Sequence, residues 1–248
     1  MINAYDNYEV WFVTGAQLLY GGDAVVVVDG HSIEMVKGLN ESGKLPVKVV
    51  YKGTANSSKE VEAVFKAANN DEKCIGVITW MHTFSPAKMW IKGLQALTKP
   101  LLHLHTQYNR KLPYDTIDMD FMNLNQAAHG DREYGFICTR LGINREVVAG
   151  YYKNESVIKR IQRFVDVACA MNFSHNLRVA MLGNNMRDVA VTDGDRVESE
   201  IRYGWNVNYY GIGDLVALVN AVTDEELDAK MAEYNELYVM NTDNIDSV

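Results

Sequence analysis

The chain has 248 residues, 48% of them hydrophobic and 23% charged, with only four prolines, a composition that excludes a disordered or collagenous protein and belongs to a folded globular one. Its 32 acidic residues against 24 basic ones give a formal charge of -8. With no lysine or arginine cluster longer than a pair, this argues against nucleic acid or an anionic membrane and for a small polar partner. The longest apolar runs, such as residues 24–28, fall far short of the roughly 20 residues a membrane span requires, so neither a span nor a leader peptide is expected. Cys74, Cys138 and Cys169 are odd in number, far apart and in no CxxC pair, the usage of reduced thiols, so a cytoplasmic location is expected.

In chain order, strand-like apolar runs are predicted at residues 10–13, 47–51, 75–80, 101–104 and 179–182, with helical spacing between most of them. Ile33, Met35, Val36 and Leu39 form one stripe, and Val61, Val64, Phe65 and Ala68 another, as crossover helices require. Helix starts are predicted at Ser57 with Glu60, at Ser85 before Pro86, and at Thr223 with Glu226. Strands alternating with helices imply an α/β fold, a doubly wound parallel sheet, because right-handed crossovers join parallel neighbours. Ligands of such sheets bind beyond the carboxyl ends of the strands, which directs scrutiny to residues 14–22, 81–85, 105–109 and 183–195.

Residues 106–135 are rich in Asn, Asp, Met and His without clean periodicity, a long connection of the kind that carries function or an interface. A helix is predicted over residues 154–172 and a fresh strand after it, placing a domain boundary there: an N-terminal α/β domain over 1–175 and a partial second α/β domain over 176–248. The second stretch offers a strand, a helix, a short strand near residues 205–210 and a helical tail, about half a domain.

Several segments can carry chemistry. The loop over residues 14–22 holds three glycines but matches neither GxGxxG nor GxxxxGK[ST], so nucleotide binding is disfavoured; either its glycines only shape the turn, or Gln17 and Tyr20 read hydroxyls. Residues 80–86, WMHTFSP, set aromatic beside polar groups at a strand end, as a sugar would use, or as a packed helix entry with Ser85 as cap would. His103 and His105 share one strand face and can chelate, with Asp118 or Asp120 as oxygen donors, but no third ligand closes the set. Gln126 and His129 share a face if their segment is helical, while Asp131, Arg132 and Glu133 are expected to form an ion-pair network at a helix start. Asp193 and Asp195 are either an acid-base pair or, the plainer choice, a helix cap.

Taken together, six blocks match one family in order along nearly the whole chain: YEVWFVTGAQ at residues 8–17, WMHTFSPAKMW at 80–90, KPLLHLHTQ at 99–107, IDMDFMNLNQ at 117–126, AHGDREYG at 128–135 and NMRDVAVTDGD at 185–195. The chain resembles the N-terminal half of the L-arabinose isomerases. The resemblance implies a Rossmann-like or flavodoxin-like first domain and the first part of a central domain. It also implies a cytoplasmic, Mn2+-assisted aldose-ketose isomerase converting L-arabinose to L-ribulose, and D-galactose to D-tagatose, assembled as a homohexamer of trimers. Family chains are about twice as long, and the resemblance places the metal ligands and proton-shuttling residues beyond Val248. No catalytic residue or metal ligand is therefore expected in this chain, and alone it is expected to be inactive.

By the same resemblance Gln17, Leu19, Tyr20, Phe84 and Met186 line the substrate, and Gln126 and His129 reach a neighbouring subunit's site. Departures occur at Leu18, Asn184 and Tyr151, where the family commonly has His, Asp and His. The alternative from another class is a non-catalytic sugar-binding or regulatory module.

Overall fold

The computed structural model describes residues 5, 7–17 and 22–240. The chain divides into two compact units, Met1–Phe173 and Ser174–Val248. The first is built from β1 (Glu9–Gly15), α1 (Gly22–Glu41), β2 (Lys48–Ala55), α2 (Ser58–Asn70), β3 (Cys74–Met81), a 3-10 turn (Ala87–Trp90), α3 (Ile91–Ala96), β4 (Leu101–His105), α4 (Met119–Leu124), α5 (Ala127–Arg140), β5 (Glu146–Ala149) and α6 (Glu155–His175). All strand pairs are parallel and the order is β2-β1-β3-β4-β5. The doubly wound α/β architecture expected from the sequence is the one observed.

Alternation along β1 shows why helices cover both faces. Val10 and Phe12 point into a core shared with Met35 and Leu39 of α1 and Ile161 and Val165 of α6. Trp11 and Val13 point into the opposite core, with Val61 and Phe65 of α2, Leu94 of α3 and Tyr134 of α5. A strand buried on both sides shows no polar alternation, so β1 and β3 read as continuous apolar runs; all eight residues of β3 are buried.

Close approach fixes the second layer. A Cβ on Gly93 would stand 2.6 Å from Val61 Cγ1 and 3.1 Å from the Val61 carbonyl carbon, so α3 packs on α2 only through glycine. Gly93→Ala is expected to cost about 1–3 kcal/mol, the usual price of overpacking, and calorimetric melting checks it. Between Phe12 and Thr14 the β1–β2 register shifts, and Gly53 supplies the required backbone at φ 106°, a bulge only glycine adopts freely.

One segment left unassigned by the sequence is placed, and two local expectations are corrected. Residues 24–28, noted only as an apolar run, lie within α1, with Val28 buried and Val26 70% exposed; the packed face of a 20-residue helix outweighs the β preference of valine. Ser85 does not cap a helix: its Oγ accepts the indole N–H of Trp90 at 3.0 Å, and Pro86 precedes the 3-10 turn. At α2 the box is only half formed, because Ser57 accepts from the Glu60 N–H while the Glu60 carboxylate reaches the N–H of Asn56. Thr223 and Glu226 do form the full reciprocal box.

In the second unit β6 (Arg178–Leu182) pairs in parallel with β7 (Asn206–Tyr210), joined through α7 (Arg196–Tyr203) and followed by α8 (Ile212–Ala221) and α9 (Asp224–Leu237). Asp195 caps α7, its Oδ1 accepting the Glu198 N–H at 2.9 Å, so the plainer reading of that acidic segment holds. The three cysteines are free and buried. Among the described residues no helix is long and apolar enough to cross a membrane.

Candidate functional site at the carboxyl edge of the sheet

In the order β2-β1-β3-β4-β5 the chain reverses direction across the sheet between β1 and β3, the switch point where open α/β sheets leave a crevice. Gly15 of β1 pairs with Met81 of β3, so residues 16–17 and 82–85 emerge side by side. The two edges are pressed together: a Cβ on Gly15 would lie 2.6 Å from Trp90 and 2.7 Å from Ser85 Oγ. Three polar atoms in these segments, Gln17 Nε2, His82 Nδ1 and Thr83 Oγ1, are buried without a hydrogen-bond partner. Buried polar atoms are normally paired, so the crevice holds unsatisfied donors and acceptors of the kind that hydroxyls satisfy.

The helix α5 brings the third side. A Cβ on Gly130 would meet Met81 Cβ at 3.0 Å and the Thr83 carbonyl oxygen at 3.0 Å. The helix therefore lies directly on the strand-end backbone, and Glu133 Oε2 accepts the Ala87 N–H at 3.1 Å. One residue before Gly130, the His129 ring stacks on Phe84, centroids 4.4 Å apart and planes 24° apart. His129 is exposed and Phe84 and Gln126 are half-buried, with Gln126 Nε2 donating to Asn123 Oδ1 at 3.4 Å.

Behind this edge sits a buried polar cluster. Asp131, expected in a network at a helix start, instead turns inward from the middle of α5. Its Oδ1 lies 2.6 Å from His103 Nε2 and its Oδ2 3.3 Å from His105 Nε2. Burial pushes the Asp131 carboxyl up to about 8, with His105 opposing; burial, aided by Arg145, pulls His103 down to about 4. Around neutrality the pair is a carboxylic acid donating its proton to a neutral imidazole. The two histidine rings are parallel within 1°, centroids 6.0 Å apart, as their shared strand face predicts, but their Nε2 atoms point at Asp131.

A second cluster joins His82 to α1. His82 Nε2 is 2.7 Å from His31 Nδ1, and the His82 ring stacks on Trp80 at 4.2 Å. His31 stacks on Tyr108 at 3.6 Å, whose hydroxyl donates to Glu34 at 2.5 Å. Burial, with His31 adding, lowers His82 to about 3, so His82 is neutral in the folded protein.

Residues 4–176 match the L-arabinose isomerase N-terminal domain and residues 178–247 the L-arabinose isomerase central domain. The chain belongs to the L-arabinose isomerase family. It is 64% identical over 96% of its length to an L-arabinose isomerase of Phocaeicola vulgatus, 55% over 94% to one of Clostridium beijerinckii and 51% over 95% to one of Bacillus subtilis. In each case it spans about half the relative, 47%.

Of the positions the family resemblance selects, the fold brings Gln17, Phe84, Gln126 and His129 to one edge of the first unit. Leu19 and Tyr20, together with Leu18, lie outside the described residues. Met186 belongs to the second unit, 64% exposed, its N–H bonded to Thr192 Oγ1 at 3.0 Å. Among the described residues no group of three or more His, Cys, Asp or Glu can hold a metal ion; His103, His105 and Asp131 are engaged with one another, and two of them are closed to solvent. These residues do not fit the Mn2+ that the resemblance implies. The pairing of Asp131 with β4 and the seating of Gly130 went unread in the sequence because their partners are 28 and 47–49 residues away, with no local pattern linking them.

Proposed function

We propose that this chain contributes pocket wall and subunit-contact surface to an L-arabinose isomerase that converts L-arabinose to L-ribulose and accepts D-galactose. The observation that carries the reading is the Phe84–His129 stack at the strand end that also carries the unpartnered Thr83 Oγ1, with unpartnered Gln17 Nε2 on the adjacent strand end, in a chain of this family. Aromatic faces take up the C–H side of a sugar while amides and hydroxyls read its oxygens. Because Phe84 and His129 lie face to face in one chain, we assign both rings to a single pocket wall rather than to two different subunits' sites.

In this reading Gln17 donates to a sugar hydroxyl, Phe84 excludes water from one sugar face, and His129 and Gln126 close the rim. The metal proposed for the family, Mn2+, would polarise the sugar carbonyl and hydroxyl; its ligands and the proton-transferring groups are assigned to the part of the relatives that this chain does not match. A cytoplasmic homohexamer built from trimers is the proposed assembly, and residues 1–248 by themselves are proposed to form no ketose.

Calorimetric titration of the chain with L-arabinitol tests the pocket wall. Phe84→Ala and His129→Ala are each expected to weaken binding about tenfold, the loss of one aromatic contact of roughly 1–1.5 kcal/mol. Unchanged affinity in both variants would remove these rings from the pocket. Incubation of the chain with L-arabinose and Mn2+ tests the other half, and measurable L-ribulose would contradict it.

A further inference from the structure

Beyond the β4 and β5 strand ends the first unit carries an open pocket of about 620 Å3, within the size range of small-molecule sites. It is lined by His105, Thr106 and Gln107 at the end of β4, by the polar Asn109, Arg110, Lys111 and Asn125, and by the apolar Ile117 and Phe121 among others.

Three observations give it a chemical character. No aspartate or glutamate lines it, although the chain carries 32 of them and a net charge of -8. The two cations that line it are uncommitted: among the described residues neither Arg110 nor Lys111 forms an ion pair. Finally, Gln107 Oε1 is buried without a hydrogen-bond partner, an acceptor left open for a hydroxyl.

Several lining groups are already held by hydrogen bonds. The indole N–H of Trp80 donates to the Thr106 carbonyl at 2.9 Å, Asn109 Nδ2 donates to Asn125 Oδ1 at 3.2 Å, and the His105 ring, 38% exposed, is backed by buried Asp131. A pocket whose polar groups are held before a ligand arrives loses little ordering entropy on binding.

We propose that this cavity binds an anionic polyol of sugar size, a phosphate or carboxylate held by Arg110 and Lys111 with its hydroxyls read by Gln107 and His105. The ligand's carbon skeleton rests against Ile117 and Phe121. The site adjoins the proposed arabinose pocket at Asn125 and Ala128, next to Gln126 and His129, but does not depend on that assignment.

Titration calorimetry of the 248-residue chain with D-ribose 5-phosphate, D-ribonate, D-ribose and inorganic phosphate tests it. At least one of the two anionic sugars is expected to bind about tenfold or more tightly than D-ribose, the effect of one charge-assisted contact, and the preferred one identifies the anion. The double variant Arg110→Ala/Lys111→Ala, altered only at exposed positions, should lose that preference while melting like the wild type. Gln107→Ala should weaken the sugar anions and leave inorganic phosphate unchanged. Equal affinity for D-ribose and both anions, an unchanged double variant, inorganic phosphate binding as tightly as D-ribose 5-phosphate, or no binding by any probe would each overturn the proposal.

Discussion

Asp131→Ala is expected to lower the unfolding free energy by about 3–5 kcal/mol at pH 7, the cost of removing one member of a buried polar pair and orphaning the other. Asp131 is 2% exposed and holds His103 at 2.6 Å. Asp131→Asn keeps one donor to the imidazole and should cost far less. The pH dependence separates this pair from ordinary packing. In the native state burial raises the Asp131 carboxyl, toward about 8, and lowers His103, so the pair keeps one proton on the carboxyl side through neutrality. Unfolded, the carboxyl releases its proton near pH 3.9 and the imidazole near about 6.5. Between about 4 and 6.5 both states hold one proton and stability is flat; between about 6.5 and 8 only the native state does, so stability falls as pH rises, by about 2 kcal/mol. Urea denaturation across that window should show the slope in the wild type and lose it in Asp131→Asn. Coincident profiles would remove the shared proton.

On the acid side the largest loss is expected from His82. Its native value of about 3 lies below the unfolded value of about 6.5. The contribution is therefore present above about pH 6.5 and is lost progressively as pH falls toward 3, by up to roughly 5 kcal/mol. His82 is fully buried between Trp80 and His31, and its Nδ1 has no partner, so a proton arriving there has nothing to neutralise it. Protonation should open the His31–His82 contact and with it the joint between α1 and the end of β3. His82→Phe keeps a ring against Trp80 and removes the titration, so its acid unfolding midpoint should move to lower pH. An unshifted midpoint would mean that other groups drive acid unfolding.

The residues that drew attention in the sequence and those that shape the site overlap only in part, for physical reasons. Strands β1 and β3 were legible because burial on both faces leaves near-continuous apolar runs, and β4 by the leucines around His103. Strand β5, with three of its four residues exposed, carries too short a signal to be read. The placement of His103 and His105 on one face followed from the two-residue period of a strand. What they face did not, since Asp131 reaches them from a helix 28 residues away. The juxtaposition of Phe84 with His129 likewise depends on Gly130 seating α5 on the β3 end, a contact of tertiary packing. Gly130→Ala should displace α5, separate the two rings and cost about 1–3 kcal/mol, which thermal melting with L-arabinitol titration would detect together.

The most direct measurement joins residues 1–248 in frame to the remaining portion of the Phocaeicola vulgatus relative, 64% identical over the shared length, and assays L-arabinose with Mn2+. Formation of L-ribulose, reduced about tenfold or more by Phe84→Ala or His129→Ala through loss of an aromatic contact, is the predicted result. A folded chimaera that forms no ketose, or one whose rate is unaffected by either substitution, would contradict the assignment of this chain as arabinose pocket wall.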